Sequence, residues 1–402
     1  MKRRTFISAS IASLAGCTTP QLRSESRSKP ANSSSKTIGE ATPIGSISGT
    51  WPTTHRTNAR TANTPESPDL QLSWATAVSG SVTQPPSQPL LRKGILIQTQ
   101  ARTLYGLDPK TGEQLWKTNV PESTRIQTPP TTGEATVYVT LDDSVAAYDL
   151  HTGEENQKYT IPDHSTPVTA ILEVADDLFV GINQDGEGAL ARLTENSGTR
   201  VFKTAGIPRN LASNRNLIVV RTTSAIQAFS KAQDELVWTY HGVNGSHPGD
   251  VPLITNRFVV SGNGGGSVIV LNLSSGQVAW QAEIQGVHAF SPTKSDSRLF
   301  VSDSDGYLQV YSIETGNTAY KLKIPAEADI PGISAGNMDR SATLAGGSVL
   351  IPSSDGQLVT VKAANGRVKS SQRFRWRVAS PPAIVDGVAV VSAPPRVYGF
   401  SA

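Results

Sequence analysis

Residues 104–116 read Leu104-Tyr105-Gly106-Leu107-Asp108-Pro109-Lys110-Thr111-Gly112-Glu113-Gln114-Leu115-Trp116. An apolar run enters a polar turn, and a second run leaves it and ends in tryptophan. Asp108-Pro109 suits the opening of a tight turn. Gly112 suits a position with positive φ, which costs little without a Cβ. A single copy is a β-hairpin and nothing more.

The stretch recurs. It returns as VAAYDLHTGEENQKY from Val145, LARLTENSGTRVF from Leu190 and IQAFSKAQDELVW from Ile226. It returns again as VIVLNLSSGQVAW from Val268, LQVYSIETGNTAY from Leu308 and LVTVKAANGRVKS from Leu358. The turn positions 112, 153, 198, 234, 276, 316 and 366 are spaced by 41, 45, 36, 42, 40 and 50 residues. Asp234 stands where the others have glycine, and Asp tolerates the left-handed region better than most residues. Upstream of each phrase lies another apolar run with its own turn, placed at Gly188, Gly266, Gly306 and Gly356. A period near 40 built from four short strands is the signature of a propeller blade.

The ends of the chain complement each other. Leu70-Gln71-Leu72-Ser73-Trp74 is a last strand with no phrase before it, and residues 380–402 supply three strands with no last strand after them. The reading is an all-β, eight-bladed propeller of four-stranded antiparallel blades. Residues 68–78 complete the final blade and close the ring, so no terminal blade is left with open edges. No boundary is expected within 68–402, and the propeller domain is taken as 51–402. Helix-period segments are absent, and 34 Gly with 26 Pro break the chain into short runs.

The leading residues read differently. Lys2, Arg3 and Arg4 precede a short apolar stretch, Phe6 to Gly16, too short to span a bilayer. Residues 1–16 are expected to be a secretory signal. Arg3-Arg4-Thr5-Phe6-Ile7 resembles a twin-arginine export signal. Leu14-Ala15-Gly16-Cys17 resembles a lipobox, which would place a lipid anchor on Cys17, the only cysteine of the chain. Residues 17–50, rich in Ser, Thr, Pro and Ala, are expected to be a flexible tether. The location implied is extracytoplasmic, anchored to the membrane on its periplasmic or cell-surface side.

Charge excludes some partners. The chain has 36 Lys+Arg against 33 Asp+Glu, and the signal holds three of the basic residues and no acid. The mature chain is therefore balanced, which argues against nucleic acid as a partner.

Together the repeats resemble the pyrroloquinoline-quinone-like (PQQ-like) β-propeller family, over roughly residues 51–402. The lead-in Trp51-Pro52, Arg56 and Ala59-Arg60-Thr61 resembles that of secreted members. The resemblance implies that Trp74, Trp116, Trp238 and Trp280, with Tyr320 in substitution, dock each blade onto its neighbour. Some members of the family are quinone-dependent dehydrogenases. Others are non-catalytic lipoproteins, including the outer-membrane assembly component BamB, and chain size and the lipid signal place this sequence with that subgroup.

Chemistry is sparse. A quinone enzyme needs the cofactor, a calcium held by oxygen ligands and a carboxylate base, and its alcohol-oxidising members carry adjacent cysteines. No cysteine pair exists here, and no catalytic residue, cofactor or metal ligand is assigned. Asp303-Ser304-Asp305-Gly306 opens like a calcium loop but lacks the downstream glutamate. It reads as a hairpin turn, as do Asp142-Asp143, Asp185-Gly186 and Ser354-Asp355-Gly356. Asn263-Gly264-Gly265-Gly266 is too short for a phosphate loop. The histidines are scattered, and His241 with His247 makes only two ligands. Asn32, Asn244 and Asn272 begin glycosylation sequons.

One stretch breaks the repeat. Arg373-Phe374-Arg375-Trp376-Arg377-Val378 alternates with period two. As the last strand of the Leu358 unit it would put the three arginines on one face and the apolar residues on the other. Arg373, Arg375 and Arg377 are then either an edge guard or a surface for an acidic protein partner. The function expected is a monomeric, non-catalytic scaffold that binds another protein. The alternatives are a PQQ-dependent dehydrogenase and a propeller binding carbohydrate or a small ligand in its central funnel.

Overall fold

A computed structural model of the chain describes residues 47, 49–51, 53, 57, 63–64, 70–78, 87–121, 124–126, 128–161, 167–175, 177–194, 198–243, 251–324, 341–353, 355–378 and 380–401. The propeller lies within one compact unit, Thr42–Ala402. Eight antiparallel sheets follow one another around a ring. Blade 1 comprises Leu90–Arg92, Ile95–Gln100, Thr103–Leu107 and Gln114–Asn119, from the axis outward. Blades 2 to 7 follow in chain order. Their outer strands are Glu155–Thr160, Gly198–Thr204, Glu235–Tyr240, Val278–Glu283, Thr318–Lys323 and Val368–Arg373.

Blade 8 is composite. Ala383–Val385, Val388–Ala393 and Arg396–Ser401 come from the end of the chain. The outer strand is Gln71–Ala77, which pairs antiparallel with Arg396–Ser401, Thr76 facing Val397. The ring is therefore closed by the two ends of the chain, as the sequence predicts.

Burial explains the pattern of the repeats. The two middle strands of blade 1 are buried at every position, because neighbouring blades cover both faces of the sheet. Such strands read as near-continuous apolar runs. The outer strand is exposed except where a side chain turns onto the next blade, as Trp116 does. Between the blades lie Leu96, Leu104, Val390 and Phe400, all sealed from solvent. Each such side chain contributes about 1.5–3 kcal/mol by leaving water.

Three readings are corrected. Gly188 is not a turn residue: it pairs with Asn183 and Thr204 inside a sheet, and the turn is Asp185-Gly186. Gly198 likewise opens a strand and pairs with Thr194. Both lie in blade 3, whose strands run to seven or eight residues and absorb positions that form turns elsewhere. The third concerns Arg373–Val378. The outer strand of blade 7 ends at Arg373, and the residues after it bend away.

The lead-in does more than precede the ring. Trp51 is fully buried and exchanges two backbone hydrogen bonds with Leu91, on the inner strand of blade 1. Asn63–Thr64 pairs in parallel with Leu344–Ala345, making blade 7 five-stranded. The amide of Gly49 donates to Asp386 Oδ2 in blade 8 at 2.5 Å. The inner edge of a blade has backbone groups free to pair, and this segment pairs with them.

Candidate functional site

The repeated polar residues hold the blades together. Asp108 Oδ1 accepts the amides of Lys110 at 2.7 Å and Thr111 at 3.0 Å, and Asp149 Oδ1 accepts those of His151 and Thr152 at 2.8 Å each. The Thr152 and His151 amides hold the Asp149 carboxyl below its ordinary value, since they favour the ionised form. The turn so formed receives the aromatic ring of the preceding blade. Trp74 Nε1 donates to Pro109 O at 3.0 Å, Trp116 to Leu150 O at 3.0 Å, Trp238 to Leu273 O at 2.8 Å and Trp280 to Ile313 O at 2.9 Å. Tyr320 Oη donates to Ala363 O at 2.9 Å in the same manner. The turn glycine is required twice over. Gly153 has φ +71°, and a Cβ there would lie 2.4 Å from the ring of Trp116.

Three seams lack this dock, and for two of them the reason is visible. Register places Gln157, Arg200 and Ser370 where the other blades carry the aromatic residue. Blade 7 has no hairpin to dock against, because the third and fourth strands of blade 8 come from opposite ends of the chain. Between blades 3 and 4 both partners are replaced. Arg200 stands for the tryptophan and Asp234, at φ 55°, for the glycine. Arg192 Nη1 donates to Asp234 Oδ1 at 2.6 Å and its Nε to Asp177 Oδ2 at 3.0 Å, while Arg200 pairs with the second oxygen of Asp234. Burial pulls the Arg192 pKa down, but its hydrogen bonds to the two carboxylates more than offset this and hold it above its ordinary value. The sequence signal was present: the phrase loses its tryptophan and the next phrase its glycine.

The Arg373–Arg377 stretch does not form one ridge. Arg373 ends the strand and pairs with Asp355 Oδ2 at 3.2 Å. Arg375 is exposed, with its guanidinium 5.9 Å from the centre of the Trp376 ring. Arg377 is only 7% exposed and leaves the surface. The apolar residues divide as well. Phe374 and Val378 are buried, and Phe374 packs edge-on against Tyr398 and Phe400 of blade 8 at 5.0 and 6.0 Å. Trp376, expected to face inward, is 38% exposed. The surface here is Arg373, Arg375 and Trp376.

The hairpin carboxylates are occupied. Asp303 is 1% exposed. Its Oδ1 accepts the amides of Asp305 and Tyr307, and its Oδ2 accepts that of Gly286 and Gln309 Nε2. Asp355 accepts from Ser353 and from Gln357 Nε2 as well as Arg373. A carboxylate filled by N–H donors has little left for calcium, so neither fits the ion of a quinone site. Among the described residues no three His, Cys, Asp or Glu converge as a metal site. His241 is exposed, and Asn272 sits in the blade 5 turn with its Nδ2 donating to Gln277 O at 3.3 Å. Arg3, Arg4, Cys17, Asn32, Arg56, Asn244 and His247 lie outside the described residues, as does nearly all of 17–50.

The family model described as outer membrane protein assembly factor BamB matches residues 69–201 and 222–393. A protein of that description from Shewanella oneidensis is 28% identical over 117 residues, 29% of this chain and 28% of its own length. The match thus spans little more than a quarter of that relative. Among solved structures, BamB from Moraxella catarrhalis superposes with a TM-score of 0.64 at 15% identity, over 83% of this chain and 98% of that one. A quinohemoprotein alcohol dehydrogenase from Comamonas testosteroni gives a TM-score of 0.69 at 12% identity, over 88% and 80%. The computationally designed protein Ika8 gives 0.65 at 16%, over 81% and 98%. At these identities the structural likeness shows the fold alone.

Proposed function

The chain belongs to the family described as outer membrane protein assembly factor BamB, and on that premise we propose that its propeller is a non-catalytic scaffold that binds another protein. The observation that carries this reading is Trp376, an exposed aromatic residue beside exposed Arg375, in a segment that departs from the repeat. Trp and Arg dominate the residues that anchor protein interfaces. Phe374 packs into blade 8 two residues earlier, so the ring is presented from a fixed base. The residues that do repeat are taken up in building blades. Export through the Arg3-Arg4 signal and lipidation of Cys17 belong to the same proposal and would hold the scaffold on the extracytoplasmic side of a membrane.

Crosslinked affinity isolation of the mature protein from its own membranes tests the reading. A second protein recovered in near-constant ratio is expected. Recovery of the bait alone would count against it, and so would reduction of a redox dye by the purified protein given quinone, Ca²⁺ and alcohols or sugars.

A further inference from the structure

We propose that the lead-in to the ring, at Gly49, Trp51 and Asn63–Thr64, is a releasable clasp that locks the composite blade 8 between its two neighbours. The inference concerns the ring itself and is independent of the scaffold reading.

Blade 8 is where the ring needs a lock. Its outer strand comes from one end of the chain and its other three strands from the other end. The hairpin that receives an aromatic ring at other seams is therefore missing on the side facing blade 7. Phe374 on Tyr398 and Phe400, and Thr343 Oγ1 donating to Pro382 O at 2.9 Å, join those two blades instead. The described lead-in residues fall on all three blades of the closure. The Gly49 amide donates to Asp386 Oδ2 of blade 8 at 2.5 Å. Trp51 donates to Leu91 O of blade 1 at 2.6 Å, and the Leu91 amide donates back to Trp51 O at 2.9 Å. Asn63–Thr64 pairs with Leu344–Ala345 of blade 7. Blades 7 and 1 flank blade 8, so one stretch of chain holds the closure from both sides.

The fit is close, and the hold is light. A Cβ on Gly49 would lie 2.3 Å from Val385 Cγ1 and 2.8 Å from Asp386 Oδ1, so only glycine lets the backbone reach blade 8 here. Trp51 is fully buried in the same apolar cluster as Leu91 and Val385. Against this, its backbone pairing is one isolated bridge, and that of Asn63–Thr64 is two residues long. Gln71–Ala77, by contrast, pairs with Arg396–Ser401 along its whole length. Trp51 Nε1 is also buried without an acceptor among the described residues. A buried donor left unmet is a cost to the closed state alone, because solvent accepts from the indole once the clasp is open. Short pairing with an unmet donor gives an element that opens locally, well before the blades do. Gly49 and Trp51 also precede Gln71–Ala77 in the chain, so a pull on the residues ahead of them reaches the clasp before it reaches the blade.

Hydrogen exchange followed residue by residue on the full chain tests this. In the unaltered protein the amides of Trp51 and Leu91 should exchange together, about tenfold or more faster than those of Ile95–Gln100 and Val388–Ala393. Gly49→Val alters no residue of a blade. It should speed exchange at Trp51 and Leu91 by about tenfold again and also speed it in Val388–Ala393, while Leu217–Thr222 of blade 4 is unchanged. Asp386→Ala removes the same contact from the blade side and should act in the same way. When the unaltered chain is pulled from its two ends, a short extension at low force should precede opening of the ring, and Gly49→Val should abolish that step. Exchange of Trp51 and Leu91 only in step with global unfolding would overturn the proposal, because the lead-in would then be a fixed part of the fold. So would unchanged exchange in blade 8 when Gly49 or Asp386 is altered, or a pulling trace of the unaltered chain with no early step.

Discussion

Trp116 condenses the logic of the chain into one side chain. Its indole covers a left-handed glycine of the next blade, and its Nε1 satisfies a carbonyl that would otherwise be buried without a donor. Trp116→Ala is expected to lower stability by about 3–5 kcal/mol, through lost burial and the void left behind. Trp116→Phe keeps most of the packing and should lose about 1 kcal/mol for the missing donor. Denaturant titration of the two variants checks both values. Tyr320, the substitute at the same position, brings a pH dependence with it. Burial pushes Tyr148, Tyr311 and Tyr320 up to about 12 from 10.0. The folded values lie above the unfolded one, so their contribution to stability is complete below about pH 10 and disappears as pH rises towards 12. Ultraviolet titration of the native protein should find these three phenols still neutral where the denatured chain is already ionised, with melting temperature falling through the same window. The docking positions were legible because they recur at fixed distance from a turn. Burial of these phenols was not, since it depends on neighbours far along the chain.

Among the elements, the boundary between blades 3 and 4 shows one dock replaced by another. An ionic network of Asp177, Arg192, Asp234 and Arg200 stands in for a tryptophan on a glycine. Asp234→Ala should cost about 1–3 kcal/mol, because it leaves the partly buried Arg192 with one carboxylate fewer. Addition of Arg200→Trp to Asp234→Gly should rebuild the aromatic dock and recover melting temperature lost in Asp234→Gly alone. It should also make the protein less sensitive to salt. No recovery would mean that the longer strands of blade 3 set a geometry the indole does not fit. The outer strand of blade 7 shows the limit of local patterns. Alternation of Arg373, Arg375 and Arg377 suggests a strand, but the repeat register is the stronger guide. In blades 1, 5 and 6 the outer strand begins two residues after the turn glycine, at Gln114, Val278 and Thr318 after Gly112, Gly276 and Gly316. The same count from Gly366 gives Val368 and a six-residue strand ending at Arg373.

For the molecule as a whole, closure by Gln71–Ala77 was legible because the chain begins with a surplus last strand and ends one strand short. The course of residues 47–64 was not. Among its described residues the segment is held by a bridge at Trp51, a two-residue pairing at Asn63–Thr64 and the Gly49 amide on Asp386, contacts too short to leave any period in the sequence. A chain lacking residues 1–78 should lose cooperative thermal unfolding, since blade 8 would have no outer strand and blade 1 would lose the Trp74 dock. Circular dichroism melts of the shortened and mature chains decide this. The departure from the repeat on which the proposed function rests is at the outer surface, around the 38% exposed Trp376. The central claim is that the propeller acts by holding another protein. A photo-crosslinking residue placed at position 375 of the full chain, activated in intact cells, tests it most directly. The account predicts one discrete adduct with a second protein, lost when Trp376→Ala is added. No adduct from that position, with the protein recovered only as itself, would contradict it.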